Sequence, residues 1–176
     1  MLTKQQQKWL DHLNDRDQIV IKPYDLKSEE IFEEVKEKII DYLGDENAVL
    51  HRGASYLKIS GQDEIDIYIP VKPEIFDSTV DKMKEGFGDP KSLYPLVRAR
   101  FRVGGYDKHI DVFVINKEDT GWVDSELFTE YLVSHPKALD DYRRLKESGE
   151  GLSTREYYKR KIVFINEVLD KAKKAC

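Results

Sequence analysis

Cysteine is all but absent. The one thiol, Cys176, is the last residue, so no intrachain disulfide can form and a reducing cytosol fits. Long apolar runs are lacking too: nothing approaches the roughly 20 residues that span a bilayer, and Met1-Leu2-Thr3-Lys4-Gln5 begins no apolar core of a secretory signal. The expectation is a cytoplasmic protein with no membrane partner. Positive charge is not in excess, since 29 Lys and Arg face 34 Asp and Glu for a net charge of −5. That balance argues against bulk nucleic-acid binding while leaving room for a local basic groove. Internal repeats and low-complexity tracts are missing as well. What remains, 176 residues, fits a single domain with a real core.

The clearest chemical signal lies in two alternating segments. Read as a strand, Glu64-Ile65-Asp66-Ile67-Tyr68-Ile69 puts its isoleucines on one face and Glu64 and Asp66 on the other. His109-Ile110-Asp111-Val112-Phe113-Val114 repeats the pattern and turns Asp111 away from its apolar face. If the two strands are neighbours, three carboxylates converge. Side-by-side carboxylates repel unless a cation sits among them. Mg²⁺ or Mn²⁺ suits hard oxygen ligands and is commonly held by one or two carboxylates plus substrate phosphates. Glu64, Asp66 and Asp111 are therefore the candidate metal ligands and catalytic residues, and His109, on the same face, is an alternative ligand.

Gly53-Ala54-Ser55 follows the apolar Ala48-Val49-Leu50, and a glycine there lets backbone N–H groups approach a phosphate. A plain turn has the same composition. His51, just ahead of it, is placed either to bond a phosphate or to hold the turn. Val97–Val103 and His109–Ile115 flank Gly104-Gly105-Tyr106-Asp107 as a hairpin, which sets Arg98, Arg100 and Arg102 on the face of Asp111. A four-residue loop would place Arg100 opposite Asp111. Such arginines either balance the acid across strands or grip a triphosphate.

The rest of the chain organises around these motifs. Leu2 to Asp15 reads as a short helix with Trp9, Leu10 and Leu13 on one side. Ser28 is placed to cap a helix whose stripe is Ile31, Val35, Ile39, Tyr42 and Leu43, ending at Gly44. Strands are expected over Ala48–Leu50 and Glu64–Ile69, the second closed by Pro70 and Pro73, then a helix from about Ile75 to Glu85. Asp124–Ser134 and Ala138–Lys146 read as helices joined at His135-Pro136, with Ser148–Gly151 a flexible loop. Ser153 and Glu156 form a capping box for a last helix with the stripe Tyr158, Ile162, Ile165, Leu169 and Ala172. The expected architecture is α/β of the α+β kind. It is a small mixed sheet with helices packed on one face over about 17–118, followed by C-terminal helices over about 121–175 that border the cleft.

His51-x-Gly53-Ala54-Ser55 with Ile65-Asp66-Ile67 resembles the opening motif of the GrpB-like family, a branch of the nucleotidyltransferase superfamily of the polymerase-beta type. The likeness extends through Phe128-Thr129-Glu130-Tyr131-Leu132, Ser134-His135-Pro136, Asp141-Tyr142-Arg143-Arg144-Leu145-Lys146, Tyr158, Lys161, Phe164-Ile165 and Val168-Leu169. Ile19-Val20-Ile21-Lys22-Pro23-Tyr24-Asp25 resembles the family's first strand. Members usually carry Ser where Ala54 stands, a Pro-Gly pair near Tyr56-Leu57-Lys58-Ile59, an apolar residue at Glu64 and a His near Asp111. In these departures the chain is more similar to active members of the superfamily. The resemblance implies a nucleotidyltransferase-type fold, with His51, Gly53, Ala54, Ser55 and Lys161 on a nucleoside triphosphate, beside the Arg98, Arg100 and Arg102 that the hairpin register offers. The expected activity moves a nucleoside monophosphate from that triphosphate to an acceptor the residues do not identify. The alternative is a non-catalytic nucleotide- or partner-binding domain linked to coenzyme A metabolism, since some relatives are fused to dephospho-coenzyme A kinase.

Overall fold

Alternation builds the sheet: Ile65, Ile67 and Ile69 on one strand, and Ile110, Val112 and Val114 on another, are all fully buried. The structure, a computed structural model, describes residues 1–175, and Cys176 lies outside the described residues. In chain order the helices are α1 (Lys4–Asp11), α2 (Lys27–Leu43), α3 (Gly53–Tyr56), α4 (Phe76–Phe87), α5 (Thr120–Ser134), α6 (Pro136–Glu147) and α7 (Thr154–Ala175). The strands are β1 (Leu50–Arg52), β2 (Glu64–Val71), β3 (Ser92–Tyr94), β4 (Arg98–Val103) and β5 (His109–Asn116). Two units emerge: Tyr24–Ile59 with Asp63–Val123, and Met1–Pro23 with Ser60–Gln62 and the chain from Asp124 onward. Among the described residues no helix is long and apolar enough to cross a membrane.

The first unit holds a mixed five-stranded sheet in the order β1-β2-β5-β4-β3. β2 and β5 run parallel at its centre, and the other pairs are antiparallel. On the apolar face α2 brings Ile31, Val35, Ile39 and Leu43, and α4 brings Phe76, Val80 and Met83. The expected stripe of α2 included Tyr42, which instead lies outside it at 45% exposure, with its ring over Gly86. Ser28 is not the cap. It lies buried inside α2, and the helix start is organised by Asp25, whose carboxylate accepts from the Lys27 N–H at 3.1 Å. β1 begins two residues later than Ala48 and ends at Arg52. Pro70 does not close β2. β1 pairs only as far as Tyr68, so one edge of β2 is unpartnered beyond it and a proline there forfeits no ladder bond. β3 had no alternation signal, being three residues long, and pairs as an edge through Ser92↔Arg100 and Tyr94↔Arg98.

The second unit is helical. Thr3 and Gln6 form a reciprocal capping box on α1. Phe128, Tyr142 and Phe164 pack as an aromatic cluster, with Tyr142 and Phe164 stacked 5.3 Å apart. The stripe of α7 holds at Ala172 but is shifted by one position elsewhere: Tyr157 and Val168 are buried in place of Tyr158 and Leu169, and Tyr158 meets Trp9 edge-on. Gly149 lets this happen, because any Cβ there would fall 2.4 Å from the Tyr157 ring. Half of the expected box at Ser153 forms. The Glu156 N–H donates to Ser153 Oγ at 3.3 Å, but the Glu156 carboxylate turns to Arg160. The Ser148–Gly151 segment is a bonded turn, with Gly151 N–H on Ile19 O and Ile19 N–H on Leu152 O. Around Ile19–Asp25, where the resemblance implies a first strand, only single bridges at Gln18 and Lys22 form.

Candidate functional site

The parallel pairing of β2 and β5 sets Glu64 beside His109, Asp66 beside Asp111 and Tyr68 beside Phe113. Residues in register on adjacent parallel strands point the same way, so all three acids share the face opposite the isoleucines. The stacked rings of Tyr68 and Phe113, 4.7 Å apart, mark that same face. Strand spacing of roughly 4.8 Å brings the backbones of Asp66 and Asp111 close, while Glu64 stands about 7 Å along the strand. The acids thus gather as an in-register pair with a third member beside it. Among the described residues no group of three or more His, Cys, Asp or Glu is assembled to hold an ion.

Gly53 closes over this pair. It follows β1, whose Arg52 is the register partner of Asp66, and opens α3 at φ +78°. A Cβ at Gly53 would lie 2.6 Å from Asp66 Oδ2. Two independent demands therefore select glycine: a left-handed backbone and a carboxylate packed against its Cα. Gly53→Ala is expected to cost about 1–2 kcal/mol of stability from the backbone and from displacing Asp66. Urea denaturation checks it, and an unchanged midpoint would mean the approach is loose.

His51 holds the turn from the other side. Its Nε2 lies 2.8 Å from Ser55 Oγ, its ring stacks on Phe32 at 4.7 Å, and it is 8% exposed. Burial, helped by the charge of Arg52 and opposed by Glu29 and Glu33, lowers its pKa to about 4. At neutral pH the ring is uncharged and serves as a hydrogen-bonded peg. Ser55 is buried on that peg, and Ala54 occupies the second position of α3.

The hairpin register differs from the expected one by two residues. Arg102, not Arg100, stands opposite Asp111, and Arg100 stands opposite Phe113. Val103 pairs with Ile110, so the loop is longer than four residues. Faces survive a slip of two, so the arginines still reach the acid. Arg102 Nε donates to Asp111 Oδ1 at 3.0 Å, Arg100 Nη1 lies 3.7 Å from Oδ2, and His109 Nε2 lies 3.3 Å from Oδ2. The Asp111 side chain is only 11% exposed. Arg100 keeps a buried Nε that makes no hydrogen bond among the described residues. Arg98 is turned to rings, with its guanidinium over Tyr94 and Phe113. Lys161 lies on α7 in the helical unit, with its ammonium 5.4 Å from the Tyr158 ring centroid.

The donors suit a divalent cation in kind, being carboxylate oxygens on one face. In number they suit one that completes its shell with phosphate oxygens, as Mg²⁺ usually does. Asp66 is placed for this. Asp111 would first exchange Arg102 for the ion.

Two features of the site went unread in the sequence. Lys108, 8% exposed, joins Asp63 and Asp25, the latter at 3.0 Å, and so fastens the starts of β2 and β5 to the segment before α2. Burial alone would lower its pKa, but the two carboxylates outweigh it and leave the ammonium raised. The second is the ring row Trp122, Tyr68 and Phe113, which covers the acid face beyond Asp66 and Asp111. Its members lie too far apart in sequence for a local pattern, though Tyr68 and Phe113 fall on the face that alternation assigns.

Comparison with known proteins bears on the fold and family. No curated protein matches the chain. A crystal structure of the conserved protein GrpB from Enterococcus faecalis superposes with a TM-score of 0.71 at 20% identity, covering 89% of this chain and 98% of that one. At that identity the likeness speaks to the fold. The family described as GrpB protein matches residues 18–171, most of the sequence. The chain belongs to the GrpB family and has its nucleotidyltransferase-like fold.

Proposed function

We propose that this chain is a metal-dependent nucleotidyltransferase that moves a nucleoside monophosphate from a nucleoside triphosphate to an acceptor. The observation that carries the reading is the in-register pair Asp66↔Asp111 on parallel strands, with Gly53 packed on Asp66. A plain turn needs no such approach. A bound Mg²⁺ or Mn²⁺ would be held by Asp66 and Glu64, with Asp111 beside them, and would supply charge neutralisation to the phosphates. The Gly53–Ser55 segment lines the position where those phosphates meet Asp66. Arg100 and Arg102 supply guanidinium donors: Arg100 is held only at an ion-pair distance, and Arg102 exchanges Asp111 for a phosphate oxygen. In the transfer an acceptor oxygen or nitrogen bonds to the α-phosphorus and the bond to the β-phosphate bridging oxygen breaks. Pyrophosphate leaves, and the acceptor's proton passes to water.

A second reading has its own observation. Asp111 is already paired with Arg102 and Arg100, as suits a binding domain that has given up catalysis. Calorimetry separates the two. Binding of a non-hydrolysable nucleoside triphosphate that requires Mg²⁺ and disappears in Asp66→Ala is expected. No binding with the metal present, or equal binding by the variant, favours the second reading.

A further inference from the structure

The helical unit leaves a groove on its surface whose apolar lining is half-buried, Phe164 turning one side to Tyr142 and Phe128. Between α6 and α7 a hollow of about 590 Å³ has Leu145, Val163 and Phe164 in its lining, with charged side chains around it. Three of the six charged lining residues are settled within the chain, since Arg160 Nε donates to Glu156 Oε1 at 2.8 Å and Arg144 lies 2.8 Å from Asp140, while Asp141 on the α6 side has no ion-pair partner among the described residues. Lys159 and Glu167, on α7, are unpaired as well. Both are exposed, and neither has an ion-pair partner among the described residues. They stand one helical turn before and one after Val163, on the α7 side of the groove.

That arrangement is self-complementary. A two-fold axis through Val163 that lays a second α7 antiparallel in the groove brings Lys159 of each copy to Glu167 of the other. Because an isologous contact repeats itself, both opposite charges find partners twice while Val163 and Phe164 leave water. Arg160 would face Asn166, a pairing without like-charge conflict, and Glu156 would approach Asp170 with its charge already met by Arg160. A helix of another protein would need a matching charge pair at the same spacing. A second copy has it by construction. We propose that this groove is the homodimer interface of the chain, with α7 seated against α7 of the partner copy. The proposal does not rest on the nucleotidyltransferase reading.

Sedimentation velocity of the full chain over a concentration series tests it. A reversible dimer is expected. Lys159→Glu and Glu167→Lys should each raise the dissociation constant roughly tenfold or more, since two attractions become two like-charge contacts. The double reversal Lys159→Glu/Glu167→Lys should restore dimerisation, because the pairs re-form with exchanged signs. Both positions are exposed, so folding is not at stake, and circular dichroism verifies that. A monomer at every concentration overturns the proposal, and so does a dimer that ignores the single reversals or is not rescued by the double one.

Discussion

Asp111→Asn is expected to cut nucleotidyl transfer about a hundredfold or more while sparing most of the affinity for the nucleoside triphosphate. Asp66 lies under Gly53, where the phosphates are proposed to sit, and Glu64 shares its strand. Asp111 lies one strand further, towards β4. Its charge is therefore expected to act on the acceptor's position and reactivity rather than on nucleotide capture. Asparagine keeps the shape and one acceptor oxygen, so the loss should appear in kcat with KM little changed. A screen of radiolabelled nucleoside triphosphates against cell extract comes first, to find where label is transferred. Turnover that is unchanged in Asp111→Asn would remove this residue from the reaction.

The observed register supplies the control. Arg102 is bonded directly to Asp111, whereas Arg100 approaches it on the diagonal. If Arg102 exchanges Asp111 for phosphate, Arg102→Ala weakens nucleotide binding and leaves Asp111 open. If the pair is only a cross-strand brace, Asp111→Asn and Arg102→Ala both lower the denaturation midpoint and neither divides binding from turnover.

The face of the acids was legible in sequence because strand alternation has a period of two, and a shift of two residues preserves it. The hairpin shows the limit of that legibility. Gly104-Gly105-Tyr106-Asp107 looked like the whole loop, but Lys108 is drawn out of the ladder by Asp63 and Asp25, and Val103 pairs with Ile110. Those carboxylates come from segments far away in the chain, so no local pattern announces the longer loop. The helix caps tell a similar story. Ser28 has the right side chain, yet Asp25 reaches the Lys27 N–H first and Ser28 is buried at the second position of the helix. In α7 the apolar residues are dense enough to support several stripes. Tyr157 wins because Gly149 leaves room for its ring, a contact that pattern alone does not weigh. For His51 the sequence left two roles open, a phosphate ligand or a peg for the turn. The deciding neighbour, Phe32, lies on α2, away from the strand that carries His51.

That neighbour makes His51 the source of the largest expected pH effect on stability. The imidazole ordinarily titrates near 6.5 and is lowered to about 4 in the folded chain, chiefly by burial. Between those values the unfolded chain holds a proton on His51 that the folded chain does not, so stability rises with pH across the window and falls as pH drops through it. Above 6.5 the native state keeps its full advantage, and below about 4 both states are protonated and the slope ends. The shift corresponds to roughly 3 kcal/mol. His51→Gln keeps a polar partner for Ser55 Oγ and removes the titration. The comparison is of urea denaturation for the two proteins at several pH values, so that contributions from the carboxylates, common to both, cancel in the difference. The wild type is expected to lose about 3 kcal/mol relative to the variant on going from neutral pH to the lower end of the window. Because the native ring takes up its proton only near pH 4, the pin on Ser55 holds across the window, and the Gly53–Ser55 turn should loosen and nucleotide affinity decline only as the pH approaches that value, in the wild type alone. Parallel stability curves for the two proteins would show that the ring accepts its proton without leaving Phe32, and the peg would then have no hold on the turn.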